Sequence, residues 1–167
     1  MSAEKNHQIP QLEHLYYIEA ECSTPMLAGN IDEGSFIIVP ITGGRFEGKR
    51  LKGTVLNLGS DWNVAKIGAR LRSHIRTRYA LQTDDGAIIS LFTDGRTYGG
   101  MSTMMKMMVT RKADPEKLYF RQHLYFYTGD PGYTWLNHVV AFAVIGMGPV
   151  SGKEAMGPVC YDAYMLK

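Results

Sequence analysis

One predicted strand carries an unusual row of aromatic and basic side chains. Residues 118–127 predict a strand, and side chains alternate between the two faces of a strand. One of those faces carries three tyrosines, an arginine and a histidine: Tyr119, Arg121, His123, Tyr125 and Tyr127. Rings with polar tips suit a pocket for a planar phenolic molecule, in which rings stack and hydroxyl groups pair. The alternative is an exposed polar face or a tyrosine-rich interface. An enzymatic pocket built on this row requires the row to point inward onto a hollow, and the enzymatic prediction fails if the row points to solvent and aliphatic groups fill the interior solidly.

A carboxylate and an arginine lie close together in the segment GGRFEG. Glu47 follows Arg45 by two positions, so both side chains can project from one side of an extended chain. A buried carboxyl group at this place would have a raised pKa and could act as a general acid. The alternative is an ordinary ion pair between the two residues.

Motifs for nucleotides, metals and nucleophilic catalysis are not found. Gly146-Met147-Gly148 approaches a dinucleotide-binding fingerprint, but Ser151 stands where its third glycine belongs and Pro149 obstructs the helix that should follow. The five histidines do not have metal-ligand spacing. Neither a G-x-S-x-G motif nor a catalytic-cysteine context is present. We therefore predict no metal and no cofactor.

Composition and charge are those of one globular domain. The chain has 167 residues, of which 45% are hydrophobic and 20% charged, and its formal net charge is +2. These values exclude a disordered chain, and the small charge predicts no nucleic-acid or membrane partner. A basic row on another predicted strand is interpreted as a solvated or subunit-contacting face, with a phosphate-tracking face as the alternative: Arg72, His74, Arg76 and Arg78.

The first residues of the chain and the length of its apolar runs give an expectation for where the protein is located. The first eleven residues are polar, and no apolar run approaches the roughly 20 residues of a membrane span. We therefore expect no secretory signal and a cytoplasmic protein. Cys22 and Cys160 are then expected to be reduced and buried.

Short β-rich segments between glycines and prolines predict an all-β protein. Many short strands joined by tight turns indicate an antiparallel sandwich or barrel. We predict a polar tail over residues 1–11 and a single domain over residues 12–167. The predicted strands are 12–22, 35–41, 51–56, 73–83, 87–92, 118–127, 134–145 and 159–166.

One methionine-rich segment breaks the β pattern. Met101, Met104, Met105 and Met108 have the spacing of one helical face, which predicts a short helix over residues 101–110. The helix is interpreted as packing on the barrel, where methionine fills irregular space. The alternative is a flexible lid over an apolar ligand.

Motifs along most of the chain resemble a known family. In order, they are VPITGGRFEG (39–48), LKG (51–53), DW (61–62), RYALQTDDG (78–86), YFR (119–121), TG (128–129), YTWLN (133–137) and YDAY (161–164). In this order they resemble the domain-of-unknown-function 3237 family of small bacterial and fungal proteins. The resemblance implies a calycin-like antiparallel barrel that self-associates into a homo-oligomer and uses no cofactor. A fold gives no reaction by itself.

Some fungal members of that family look like natural-product tailoring proteins. This similarity implies intramolecular hydroalkoxylation of a small aromatic substrate, a prenylated polyketide phenol. A general acid would protonate the prenyl alkene, and the phenol oxygen would capture the tertiary cation to form a cyclic ether. Such chemistry needs a proton donor, a cationic group that favours phenolate, aromatic walls and a dry cavity.

The resemblance also implies roles for individual residues. Glu47 or Tyr79 would donate the proton. Arg121, with Arg45 or Arg78, would bind the phenolic oxygen. The walls of the pocket would be aromatic, formed by Trp62, Tyr125, Tyr127 and Trp135. Asn137 would orient a carbonyl of the substrate, and the remaining binding residues would be His123, Met104 and Met108.

Other functions remain open at this point. The same pocket would serve a barrel that binds an aromatic metabolite without transforming it. It would also serve another cofactor-free polyketide isomerase, dehydratase or cyclase. A purely structural oligomer would have a solidly packed interior.

Overall fold

The chain folds into ten strands and two short helical segments within the residues that are described. The computed structural model describes residues 9–112, 114, 116–147 and 157–167. Residues 1–8 of the predicted tail therefore lie outside the described part, as do Gly148, Pro149 and Ser151. In chain order the elements are β1 (Leu12–Cys22), β2 (Met26–Ile31), β3 (Gly34–Glu47), β4 (Lys52–Val55), β5 (Gly59–Lys66), β6 (Arg70–Thr83), β7 (Ile88–Gly100), α1 (Met101–Thr110), β8 (Leu118–Tyr127), a 3-10 helix (Thr134–His138), β9 (Ala141–Met147) and β10 (Val159–Leu166).

The strands close into an antiparallel barrel. β1 pairs with β10 along one edge and with β3 along the other, so the sheet has no open end there. β4 and β5 both pair with β3 on one side and with β6 on the other, so together they occupy one strand position of the barrel. β1 and β2 likewise pair with successive parts of β3 and together occupy another position. Eight strand positions therefore form the barrel that the described residues build. The prediction of an all-β antiparallel barrel with one methionine-rich helix is confirmed.

One half of the barrel is solidly packed. Most of its side chains come from inward-facing positions on strands around the barrel, as alternation along each strand requires, and Leu51 and Leu136 come from a loop and the 3-10 helix. The interior here is almost wholly apolar, and it forms the hydrophobic floor of the barrel: Leu15, Ile18, Phe46, Leu51, Leu81, Ile89, Leu91, Leu124, Phe126, Leu136 and Ala143.

The other half of the barrel is hollow, and α1 lies at its mouth. Met107 is the most buried residue of α1, while Met105 and Met108 are partly exposed. The helix ends at Arg111, whose left-handed backbone (φ 58°) carries an N–H bonded to the carbonyl of Met107. No helix in the described ranges is long and apolar enough to span a membrane.

The sequence predicted several strand boundaries closely and missed two strands. β1, β8, β10 and α1 have the predicted ends. Residues 134–145 are not one strand, because the Asp130-Pro131-Gly132 turn leads into the 3-10 helix and β9 starts only at Ala141. β2 and β5 were not predicted. Three of the four inward positions of β5 are glycine or polar (Gly59, Asp61 and Asn63) and only Ala65 is apolar, so this strand lacks the alternation that marks a buried face.

Candidate functional site

A cavity of about 420 Å³ occupies the hollow half of the barrel. This volume lies within the ordinary range of small-molecule sites. One side of the cavity is aliphatic and comes from β1, β3, β9 and β10: Ala20, Cys22, Ile37, Val39, Ile41, Ile145, Met147 and Val159. Phe120, Tyr79 and Tyr161 add aromatic rings, and the methionines of α1 also line the cavity. The cavity is therefore suited to a largely hydrocarbon molecule.

The opposite side of the cavity carries polar side chains interspersed with apolar ones such as Ala65, Leu71 and Ile75. The polar residues come from four neighbouring strands, β5 to β8: Asp61, Asn63, Ser73, Thr77, Thr93, Thr97 and Gln122. Strand register aligns them in rows, because Asp61 lies opposite Thr77 and Thr77 lies opposite Thr93. Ser73 likewise lies opposite Thr97. The cavity thus presents hydrogen-bonding groups to one edge of an occupant and hydrocarbon to the other.

Asp61 is the acid–base candidate of this polar wall. Burial raises the pKa of its carboxyl group from 3.8 to about 7, and hydrogen bonds from Thr77 and Asn63 only partly oppose that effect. The Thr77 hydroxyl donates to Asp61 Oδ1 over 3.1 Å. The side chain of Asn63 is itself positioned by Ser73, because Asn63 Oδ1 accepts a 2.8 Å hydrogen bond from the Ser73 hydroxyl. A group with this pKa can both give and take a proton near neutral pH.

Two tyrosines stand between the cavity and the packed floor. The hydroxyl groups of Tyr79 and Tyr161 are hydrogen-bonded to each other, and both rings line the cavity. Burial raises the pKa of both phenols well above 10, so they stay neutral and can donate hydrogen bonds. Gly59 makes room for Tyr79, because a Cβ there would lie 2.4 Å from the Cβ of Tyr79. Tyr79 follows Thr77 by two residues on the same face of β6, which is roughly 7 Å along the strand.

Two hydroxyl groups of the polar wall have no partner. Thr93 is 0% exposed and Thr97 is 3% exposed. Neither Oγ1 has a hydrogen-bond partner in the described part of the chain. Buried polar groups are normally hydrogen-bonded, so these two hydroxyls, whose oxygen atoms have almost no accessible surface, are exceptions within the described part of the barrel.

Of the residues predicted from sequence, Tyr79, Met104 and Met108 line the cavity. The expectation that the aromatic row of β8 points inward is wrong. Gln122, Leu124 and Phe126 take the inward positions of that strand, because its apolar face is the one that leaves water. The row lies on the outer surface, where Tyr127 is 61% exposed. The outward residues are Tyr119, Arg121, His123, Tyr125 and Tyr127.

The predicted proton donor and phenolate-binding arginines also lie outside the barrel. Glu47 is exposed, and Arg45 pairs instead with Glu19, with 2.9 Å between Nε and Oε2. The guanidinium of Arg78 lies on the outer face, 5.0 Å from the ring centre of Phe92. Arg121 donates to the carbonyl of Phe120. These residues occupy outward-facing positions on their strands, because successive side chains along a strand point to opposite faces of the sheet.

The aromatic side chains predicted to form the pocket walls, Trp62 and Trp135, and the amide of Asn137 also lie outside the cavity. Trp62 is on the outer face of β5, the side opposite to Asp61. Trp135 packs under the guanidinium of Arg50, 3.5 Å from its ring centre. Asn137 exchanges two 2.9 Å hydrogen bonds with the backbone of Thr128 and so holds the end of β8. These residues organise the scaffold and do not line the cavity.

The basic row of β6 is outward, as the solvated interpretation requires. Arg72, His74, Arg76 and Arg78 alternate with inward residues of the strand. His74 Nε2 lies 3.0 Å from Asp94 Oδ2, and Arg76 and Arg96 also approach that carboxylate. Among the described residues, no group of three or more histidines, cysteines and carboxylates has the arrangement of a metal site.

Sequence reasoning missed Asp61, Asn63, Thr93 and Thr97. A usable signal for the first two was present, since Asp61 and Asn63 lie two apart in GSDWNVAK. That spacing puts both on one face if the segment is a strand. The threonines gave no local signal, because β-branched residues are ordinary in strands.

Comparison with known proteins gives the family. Residues 10–166 match the family described as "Protein of unknown function (DUF3237)". A UPF0311 protein of Rhodopseudomonas palustris (strain TIE-1) is 33% identical over 129 residues, which span 76% of this chain and 83% of that protein. A solved β-barrel-like protein from Acinetobacter baumannii AYE is 38% identical, with a TM-score of 0.78 over 98% of this chain and 100% of that chain. A solved enzyme from Penicillium herquei has the same fold at 21% identity, with a TM-score of 0.63 over 98% of each chain. The chain belongs to the DUF3237 family.

Proposed function

We propose that this barrel is a cofactor-independent enzyme that moves a proton within a small, oxygen-bearing aromatic molecule. The observation that carries the proposal is Asp61, a carboxyl group with a pKa of about 7 in the wall of an apolar cavity. Among the described cavity residues it is the only Asp, Glu, Lys, Arg or His. Perturbed carboxyl groups in such cavities are typical of acid–base catalysts.

The proposed chemistry returns the catalyst to its starting state. The protonated carboxyl of Asp61 gives its proton to one atom of the substrate, and the carboxylate then takes a proton from another atom of the same molecule. The product is an isomer of the substrate. The Tyr79 hydroxyl, kept neutral by its raised pKa, donates a hydrogen bond to a substrate oxygen on which negative charge develops.

The specific reaction that we propose is hydroalkoxylation of a prenylated phenol. The Asp61 proton adds to the alkene, the phenol oxygen forms the new C–O bond, and the phenol proton returns to Asp61. Because a carboxyl group with this pKa is a weak acid toward an alkene, the reaction depends on water exclusion and on the enforced proximity of alkene and phenol. Asp61 takes the proton-donor role that the family resemblance suggested for Glu47 or Tyr79. No arginine lines the described cavity, so the phenol is bound as a neutral group.

Binding without turnover is the second candidate. The methionine-lined mouth favours it, because methionine adapts to ligands of different shapes. Affinity alone cannot separate a carrier from an enzyme, so the test must follow the chemical fate of the ligand.

The test offers the purified protein a prenylated phenol and its unprenylated parent, with the heat-denatured protein as a blank. Hydroalkoxylation predicts a product of unchanged mass and altered retention time from the prenylated compound only. Loss of water would identify a dehydratase. Recovery of both compounds unchanged, after saturable binding, would identify a carrier and refute the enzymatic proposal.

We also propose that the protein self-associates through the outer face of β8. Tyrosine and arginine are enriched in interfaces, and this face presents Tyr119, Arg121, Tyr125 and Tyr127. Light scattering is expected to give a mass of at least two chains. Replacing Tyr119 and Tyr127 together by serine is expected to lower that mass toward one chain, whereas a wild-type monomer at tens of micromolar concentration contradicts the proposal.

A further inference from the structure

We infer that Gln122 binds the substrate through its amide, and that the substrate carries a second free hydroxyl group, distinct from the groups that react at Asp61. This inference rests on the proposed function, because it concerns an occupant of the same cavity. It adds a specificity-determining residue and a substrate class, which is aromatic molecules with at least two unmethylated hydroxyl groups.

The amide of Gln122 is unpartnered and open to the cavity. Gln122 is 6% exposed and lines the cavity from an inward position of β8. Its amide makes no hydrogen bond within the described part of the chain. The described side-chain atoms that are sealed off without a hydrogen-bond partner are Tyr16 Oη, Thr42 Oγ1, Thr93 Oγ1 and Thr97 Oγ1, and neither amide atom of Gln122 is among them. The Gln122 amide therefore reaches the open space of the cavity.

The neighbours of Gln122 on the two adjoining strands leave room around its side chain. Gln122 pairs with Gly95 on β7 and with Ala143 on β9, which are two of the smallest residues. A Cβ at position 95 would lie 3.0 Å from the Gln122 Cβ, so glycine avoids crowding there. An occupant of the cavity can therefore contact the amide without displacing a bulky neighbour.

The chemistry of an amide group determines which partner it takes. Its oxygen accepts hydrogen bonds and its nitrogen donates them. A buried donor or acceptor that lacks a partner is unfavourable, so the best partner satisfies both atoms. A hydroxyl group does so, because it donates to Gln122 Oε1 and accepts from Gln122 Nε2. A methyl ether only accepts and leaves Oε1 unpaired.

Strand register separates this contact from the acid–base group. Asp61 shares one row of the wall with Thr77, Thr93 and Leu124, across β5 to β8. Gln122 is the next inward residue of β8 toward α1. The Cα atoms of Asp61 and Gln122 are thus roughly 14 Å apart across the strands and 7 Å apart along them. One occupant contacts both residues only if its two oxygen groups lie at opposite ends of its ring system.

The test measures dissociation constants of three probes that share one ring system: 2,6-dihydroxynaphthalene, 6-methoxy-2-naphthol and 2-naphthol. Wild-type protein is expected to bind the diol at least ~5-fold more tightly than either of the others. Gln122→Met keeps the length of the side chain and removes the amide. It is expected to abolish that ~5-fold advantage and to leave 2-naphthol binding within about twofold.

Two further variants separate binding from folding. Gln82→Met is the matched control, because Gln82 lies on the outer face of β6 and does not line the cavity, and it should leave all three affinities unchanged. Gln122→Leu is a second apolar replacement and should behave as Gln122→Met does. Without ligand, both variants at Gln122 are expected to melt at or above the wild-type temperature, because no hydrogen bond within the protein is lost.

The outcomes distinguish this inference from the proposed function. An unchanged preference for the diol in Gln122→Met overturns the role of Gln122, even if the protein turns over a prenylated phenol. Wild-type protein that binds the methoxy compound as tightly as the diol, or that does not bind the diol, overturns the second hydroxyl group. Gln122-dependent diol binding by a protein that transforms nothing leaves the binding role of Gln122 standing and refutes catalysis.

Discussion

Replacing Asp61 by asparagine is expected to reduce turnover by ~10²–10⁴-fold and, above pH 7, to make the protein more stable. The first effect follows because asparagine cannot give or accept a proton. The second follows because ionising a half-buried carboxyl group in the wall of an apolar cavity is unfavourable. A loss of activity coupled to a gain of stability is typical of a residue kept for function.

The pH dependence of stability gives the sign and the size of the effect. Burial raises the Asp61 pKa from 3.8 in the unfolded chain to about 7 in the folded protein, so the folded state binds the proton more tightly. The contribution of Asp61 to stability is therefore most favourable below about pH 4 and is lost as the pH rises through 7. The loss amounts to at most ~4 kcal/mol at pH 8.

Urea unfolding at pH 4 and pH 8 tests this prediction. Asp61→Asn should exceed the wild type by a few kcal/mol at pH 8 and differ little at pH 4. Glu47→Gln is the matched control, because Glu47 is an exposed carboxylate outside the cavity, and it should change neither stability nor turnover. An Asp61→Asn variant that keeps wild-type turnover, or that is less stable at pH 8, contradicts the assignment.

The two halves of the barrel are expected to respond unequally to the same truncation. Leu81 and Leu71 both face inward from β6, but Leu81 is 0% exposed within the packed floor, whereas Leu71 is 8% exposed and lines the cavity. Leu81→Ala should cost ~3–4 kcal/mol, because it removes close contacts and leaves a new void. Leu71→Ala should cost only ~1–2 kcal/mol, because part of that side chain already faces empty space.

Chemical denaturation of the two variants at one pH measures this difference directly. Equal losses of unfolding free energy would mean that the barrel is packed alike at both ends. That result would remove the cavity on which the enzymatic proposal depends. A larger loss at Leu81 is the result that a closed floor and a hollow upper half require.

Local periodicity in the sequence predicted much of the architecture. The alternation in Leu12–Cys22, Leu118–Tyr127 and Val159–Leu166 marks strands whose ends are those found, and the methionine spacing marks α1. These are local patterns, because they depend on the periodicity of one element against water. β5 escaped prediction, since Gly59, Asp61 and Asn63 occupy inward positions at which apolar residues would have marked a strand.

Tertiary structure alone decided which side chains meet in the cavity. Asp61, Thr77 and Thr93 lie sixteen residues apart in sequence and become neighbours only through the register of three strands. The orientation of β8 was likewise settled globally, because closing the barrel buries Leu124 and Phe126 and leaves the tyrosines outside. The sequence by itself determined the all-β barrel and its helix, through local periodicity. The placement and raised pKa of Asp61 came from strand pairing and burial, which no local pattern encodes.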